Sequence, residues 1–181
     1  MSDIRQELLD LQILQGIDFV KRLKSIVSRK EFRPLDSDPE IYVIGGEDDA
    51  DFPRLLDVAR KAVEHGYKVF LLPNPKGIRT ADFIFVRKGA YKMYDLKTIS
   101  GTNSIGNRLQ ESIGQTNRVL LNITTEYNPV ALARNIRRYF EKNPQAVEVL
   151  VYKGRKSISV LRDETVNGAS FFKYFVAKYI Q

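Results

Sequence analysis

TADFIFVRKGAYKMYDLK, residues 80–97, contains the hairpin around which we expect the chain to fold. The apolar run Phe83–Val86 and the alternating segment Tyr91–Lys97 predict two strands, and Lys88-Gly89 between them predicts a tight turn. Asp82 stands at the start of the first strand and Asp95 near the end of its antiparallel partner. A hairpin folded at this turn therefore brings the two acids close together.

Side chains on a strand alternate between its faces, so Asp95 and Lys97 are predicted to point the same way. Two carboxylates and one ammonium group then converge at one end of the sheet. A metal-dependent phosphodiesterase needs this combination, because two acidic oxygens can hold Mg²⁺ while water and a substrate phosphate complete its coordination. Lys97 could orient the attacking water or offset charge in the transition state.

The spacing of Asp82, twelve further residues and then Asp95-Leu96-Lys97 resembles the PD-(D/E)XK nuclease motif, with Ala81 where that motif has proline. Over roughly residues 52–125 the chain also resembles the nuclease domains at the C-terminal ends of contact-dependent inhibition toxins. Related domains occur in some phage head proteins. The segments that carry this wider resemblance are His65-Gly66-Tyr67, Val69–Leu72, Ala81-Asp82, Asp95–Thr98 and Gly114–Arg118.

The resemblance implies an αβββαβ nuclease-like core in which Asp82, Asp95 and the carbonyl of Leu96 bind Mg²⁺ or a similar ion, Mn²⁺ or Zn²⁺. Lys97 would orient the attacking water, and Gln115 would position the phosphate. It also implies a protein that acts in the cytoplasm, or is delivered into a target cell as part of a larger toxin or phage protein. An immunity protein is then an expected partner.

The net charge of +7 favours a polyanionic partner, tRNA or another RNA, or DNA. Residues 76–118 hold eight Lys/Arg against three Asp/Glu, so the basic excess surrounds the proposed site. The predicted nucleic-acid-binding residues are Lys76, Arg79, Thr98, Arg108, Asn117 and Arg118.

Composition excludes several other classes of protein. The 181 residues are 43% hydrophobic, as in a globular chain, and contain no cysteine, which excludes disulfides, thiol catalysis and cysteine-based zinc sites. The only histidine is His65, so a mechanism that needs two is excluded. No run of about 18 apolar residues and no signal peptide is present, and we expect no membrane partner.

Residues 3–30 predict a long amphipathic helix, or two helices joined near Gly16, because apolar residues recur every three or four positions. We expect residues 1–32 to form a helical appendage that could pair with a second copy of the chain. The proline-containing segment 33–40 reads as a linker. Residues 40–181 then form the α/β (α+β) nuclease-like domain, a central mixed sheet flanked by helices.

Within this domain we predict the order αβββαβ from residue 52, followed by αββα. The acids at 47–51 precede the first of these helices, and we interpret them as capping its N-terminus.

Two other functions are compatible with the same residues. A metal-independent RNase of the barnase–EndoU–RelE-like group would use Lys97, Thr98 and Arg118, with His65 in reserve. A non-enzymatic nucleic-acid-binding or phage structural module would keep Asp95 and Lys97 as an ion pair.

Overall fold

The computed structural model describes residues 3–101, 105–111, 116–166, 168 and 170–181. The helices are α1 (Ile4–Asp10), α2 (Gly16–Val27), α3 (Phe52–Glu64), α4 (Ile105–Glu111), α5 (Pro129–Lys142), α6 (Arg162–Val166) and α7 (Phe171–Ile180). The strands are β1 (Arg33–Pro34), β2 (Ile41–Val43), β3 (Lys68–Leu71), β4 (Phe83–Arg87), β5 (Ala90–Ile99), β6 (Arg118–Ile123), β7 (Glu148–Lys153) and β8 (Lys156–Leu161). No described helix is long and apolar enough to cross a bilayer.

The chain divides by its contacts into two compact units, Met1–Asp95 and Leu96–Gln181, with the boundary inside β5. The α/β class and the order of elements from α3 to α7 are confirmed, with the short α6 in addition. This division differs from the predicted domains, residues 1–32 and 40–181.

In the first unit the strands form a mixed sheet because one connection is a helical crossover. Strands β2 and β3 pair in parallel across α3, whereas β1 pairs with β2, β3 with β4 and β4 with β5 in antiparallel fashion. A parallel pair requires such a crossover. Val58, Ala59 and Ala62 of α3 are completely buried, as its apolar face requires.

The connection between β4 and β5 is the predicted two-residue turn. Lys88 and Gly89 have φ values of 50° and 78°. Two successive left-handed residues are the signature of the type I′ turn, whose twist matches that of the flanking strands. The predicted hairpin is confirmed, and its turn fixes the pairing of β4 with β5.

The two N-terminal helices pack on this sheet, where the sequence suggested an appendage. Leu8, Leu11, Leu23 and Ile26 share a buried cluster with side chains of β3, β4 and β5. The helical stretch is interrupted between Asp10 and Gly16, the second of the two predicted arrangements.

The interruption shifts the phase of the apolar stripe. Ile17, one of the apolar residues of the predicted stripe in residues 3–30, is therefore 76% exposed.

The second unit also combines a parallel strand pair, joined by a helical crossover, with an antiparallel pair. Strands β6 and β7 pair in parallel across α5, and β7 pairs with β8 through an antiparallel hairpin. Asn128 caps α5, since its side-chain oxygen accepts hydrogen bonds from the amides of Val130 and Ala131 at 2.9 and 3.1 Å. The end of β5 joins this unit through the Thr124 amide, which donates to the Ile99 carbonyl at 2.9 Å.

The core of the second unit is made by α4, α5, α7 and the inner faces of the strands. The aromatic face of the last helix is docked there, with Phe171, Phe175 and Tyr179 buried. Strand β1 lies in the segment 33–40 that the sequence analysis read as a linker.

Candidate active site

The pairing of β4 with β5 places Asp82 and Asp95 next to each other. Phe83 pairs with Tyr94, and the amide of Asp82 donates to the Tyr94 carbonyl at 3.1 Å. This hydrogen bond places Asp82 beside Tyr94, the residue that directly precedes Asp95 in β5. Asp82 stands just before β4 and Asp95 near the end of β5, so the two acids that the sequence analysis paired lie at the same end of the hairpin.

The two carboxylates differ in their exposure to solvent. Asp95 is 2% exposed, while Asp82 is half-buried. The carbonyl of Asp82 accepts a hydrogen bond from the Leu72 amide at 2.9 Å, which fixes this end of β4 beside the end of β3. A buried carboxylate is costly unless positive charge and hydrogen bonds surround it. The site therefore favours cations near Asp95.

Arg54, in the first turn of α3, supplies one such cation. Its guanidinium donates to both oxygens of Asp51, from Nε and Nη2, each at 2.6 Å. These hydrogen bonds raise the pKa of Arg54 above its ordinary value, and the negative charges of Asp51, Asp82 and Asp95 raise it further, against the opposing effect of desolvation. Arg54 therefore belongs to the electrostatic environment of the acid pair.

Sequence analysis did not identify Arg54. Asp51 stands at the N-cap position of α3, but its side chain makes no cap hydrogen bond and binds Arg54 instead. The only local signal was an arginine three residues after an acid, a spacing that helices often use for ion pairs. Nothing in the sequence linked that pair to Asp82 and Asp95.

The donor set suits a hard cation that keeps part of its water shell. The negative charges of three carboxylates, of Asp51, Asp82 and Asp95, act on the Arg54 guanidinium. Within the described ranges no group of three or more His, Cys, Asp or Glu side chains is arranged to hold a metal. Mg²⁺ commonly binds through one or two carboxylates, whereas Zn²⁺ usually takes three or four protein ligands. Asp82 and Asp95 therefore fit Mg²⁺ or Mn²⁺ better than Zn²⁺.

The other predicted residues of the motif continue along β5. Lys97 follows Asp95 by two positions on this strand, so strand alternation gives both side chains the same face. Lys97 and Thr98 are half-buried and Leu96 is buried.

Two predicted phosphate-binding cations, Lys76 and Arg79, lie in the loop between β3 and β4. Both side chains are exposed, while Ile78 between them is 7% exposed and anchors the loop. The chain passes from this loop through the buried Ala81 directly into Asp82. The loop thus carries positive charge close in sequence to the acid pair.

The remaining predicted residues belong to the second unit. Arg108 pairs with Glu111 on α4 at 3.5 Å, Asn117 is exposed, and Gln115 lies outside the described residues. Arg118 donates to Glu148, which is 1% exposed and also accepts from the Ser159 hydroxyl. Because Glu148 is buried, this ion pair holds the Arg118 guanidinium against the core of the second unit.

Comparison with known proteins gives one structural likeness. No family model matches the sequence, and none of the curated proteins matches it. Among solved structures, the CdiA-CT/CdiI toxin and immunity complex from Burkholderia pseudomallei is similar to this chain, with a TM-score of 0.45 and 19% sequence identity. The likeness covers 61% of this chain and 84% of the other.

Proposed function

We propose that this protein is a metal-dependent nuclease that hydrolyses phosphodiester bonds in nucleic acid. The observation that carries the proposal is that Asp82 and Asp95 lie at the same end of the β4–β5 hairpin and that the charges of both act on Arg54. Two acids at one end of a hydrophobic hairpin, one of them almost fully buried, repel each other. A divalent cation between them would offset that cost.

Asp82 and Asp95 would hold the cation, with the Leu96 carbonyl as a further ligand. A divalent ion bound there polarises the phosphoryl group and offsets the charge that develops in the transition state. The ammonium group of Lys97 would hold the attacking water by hydrogen bonds and orient it towards phosphorus.

Arg54 has a separate role in this proposal. Its positive charge stabilises the ionised carboxylates before the metal binds, and Asp51 fixes the direction of its guanidinium. The guanidinium thus partly balances the acids without supplying the double charge of a metal ion. We expect the metal to bind with Arg54 still held by Asp51.

The expected substrate is RNA, tRNA included, or DNA. Support comes from the net charge of +7 and from the exposed cations Lys76 and Arg79 in the loop that precedes Asp82. Phosphate contacts by Lys and Arg supply most of the affinity that does not depend on sequence. An immunity protein and self-association through the N-terminal helices remain predictions about partners.

The proposal is tested by incubating the protein with tRNA, single-stranded RNA and plasmid DNA, with Mg²⁺ or with EDTA. We expect cleavage of at least one substrate in Mg²⁺ and none in EDTA. Asp82→Asn and Asp95→Asn should each lower the rate by at least about 100-fold, since each removes a metal ligand. Asp36→Asn is the matched control, because Asp36 is an exposed acid outside the site, and it should cleave normally.

Two results would support the other functions instead. Cleavage that survives EDTA and both asparagine variants indicates the metal-independent RNase, with Lys97, Thr98 and Arg118 as its groups. Salt-dependent binding without any cleavage indicates a nucleic-acid-binding module.

A further inference from the structure

The loop between β3 and β4 is fastened to the N-terminal helix by two hydrogen bonds that span most of the first unit's sequence. Arg5 donates from Nη2 to the carbonyl of Lys76 at 3.0 Å. Gln12, just beyond the end of α1, donates from Nε2 to the carbonyl of Arg79 at 3.1 Å. The two carbonyls that α1 and its extension bind are therefore those of the two exposed, cationic residues of the loop.

Helix α1 is itself fixed firmly enough to act as a support. Glu7 is 2% exposed, and it accepts hydrogen bonds from Arg29 and from the Ser25 hydroxyl, each at 2.6 Å. Leu8 and Leu11 are buried in the same cluster as side chains of the sheet. Arg5 and Gln12 thus project from a segment whose position is set by the core.

Two hydrogen bonds join residues within the loop itself. The Ile78 amide donates to the Pro75 carbonyl at 3.3 Å, and the Thr80 hydroxyl donates to the Pro73 carbonyl at 3.5 Å. Both contacts are long for hydrogen bonds. The bonds from Arg5 and Gln12 are shorter, so they contribute substantially to holding the loop backbone in place.

We infer that α1 and Gln12 form a brace that positions Lys76 and Arg79 to bind phosphate groups of the substrate. Arg5 and Gln12 are positioning residues, and Arg5 adds a third positive charge beside the loop. Side chains on a fixed backbone lose less conformational freedom on binding, which strengthens the complex. The inference rests on the proposed function only in taking a nucleic acid as the bound polyanion.

The test measures binding and loop protection in EDTA, where metal-dependent cleavage is absent. The probes are a fluorescein-labelled single-stranded RNA of mixed sequence and the DNA of the same sequence, followed by fluorescence anisotropy. Hydrogen exchange of the amides in residues 74–80 is measured on the same proteins. The variants are Gln12→Met, which keeps the size of the side chain and removes its donor, Arg5→Met, and Arg5→Lys, which keeps the charge.

Gln12→Met should weaken binding of at least one probe about 3- to 10-fold, the effect of one hydrogen bond, and speed exchange in the loop. Arg5→Met should do the same and also reduce the salt dependence of binding, because a cation near phosphate is lost. Arg5→Lys should recover the salt dependence.

Gln6→Met and Lys21→Met are the matched controls. The Gln6 side chain donates to Asp10 on its own helix, and Lys21 is an exposed cation on α2. Both variants should leave loop exchange and binding as in the wild type.

Three results would overturn the inference. Unchanged loop exchange in Gln12→Met shows that there is no brace. Faster exchange with unchanged affinity shows that the brace does not serve binding, and failure of the wild type to bind either probe shows that the loop has no such ligand. Normal cleavage by Asp82→Asn would instead defeat the proposed function and leave the brace to be decided by these binding measurements.

Discussion

The amide of Asp82 donates a hydrogen bond to the carbonyl of Tyr94 at 3.1 Å, and this contact holds Asp82 at the end of the hairpin that also carries Asp95. It places Asp82 beside Tyr94, which directly precedes Asp95 in β5. A slip of one residue in the pairing of β4 with β5 would turn the side chains of one strand to the other face of the sheet. The turn at Lys88 and Gly89 protects against such a slip.

The first prediction concerns that turn. Gly89→Ala should lower the free energy of unfolding by about 1 kcal/mol, because an alanine at φ 78° is strained. No atom lies within 4 Å of the added Cβ, so the effect is one of backbone conformation alone. The measurement is the urea midpoint at unchanged slope. Gly101→Ala, also in open space but without a left-handed φ, serves as the control, and an equal loss there would refute the explanation.

The second prediction concerns Lys97. Lys97→Ala should lower the cleavage rate by about 100-fold or more, because the attacking water loses the group that orients it. Substrate binding in EDTA should change much less. Lys92→Ala is the control, since Lys92 lies on the same strand but on its opposite face. Unchanged turnover in Lys97→Ala would remove this residue from the mechanism.

The third prediction concerns Asp51 and Arg54. Hydrogen bonds from Arg54 hold the pKa of Asp51 below its ordinary value of 3.8. A carboxyl with a depressed pKa adds stability above its ordinary value, and the stability is lost as pH falls through the depressed one. Asp51→Asn should therefore cost stability at neutral pH, by less than about 1 kcal/mol because the pair is partly exposed.

The cost of Asp51→Asn should fade below about pH 3.8. The check is thermal or urea unfolding of both proteins from pH 7 to pH 3. A difference that stays constant or grows on acidification would show that the ion pair is not its source.

The fourth prediction concerns the anchor of α1. Glu7→Gln should destabilise the protein by roughly 3 kcal/mol, because it leaves Arg29 beside a buried neutral group. Glu31→Gln is a close control, since Glu31 binds the same arginine but is 50% exposed. Its cost should be much smaller, because water screens an exposed ion pair. Similar losses in the two variants, measured by urea unfolding, would contradict the importance of burial.

Much of the fold could be predicted because local signals agreed with the final structure. The Lys88-Gly89 turn of the hairpin and the Asn128-Pro129 start of α5 can be recognised from the conformational preferences of their residues. Strand β1 could not be predicted, since a strand of two residues, one of them proline, is too short to show an alternation of apolar and polar side chains. It forms only because β2 lies beside it. The break between α1 and α2 shifted the phase of the apolar stripe and exposed Ile17.

The acid pair of the candidate site could be predicted because both residues belong to one hairpin. Arg54 could not, since it reaches Asp82 and Asp95 only when α3 folds against the sheet, and its local partner Asp51 looked like a capping acid. The contacts of Arg5 and Gln12 with the loop could not be predicted either. Both side chains bind backbone carbonyls, and every residue has a backbone carbonyl, so the sequence does not identify the partner.

The metal site is tested most directly by a crystal structure of the protein soaked in Mn²⁺, read from the anomalous signal of the ion. We expect one strong peak within about 2.3 Å of carboxylate oxygens from both Asp82 and Asp95. A map without a peak there, with the Arg54 guanidinium filling the space between the two carboxylates, would contradict the metal-dependent mechanism.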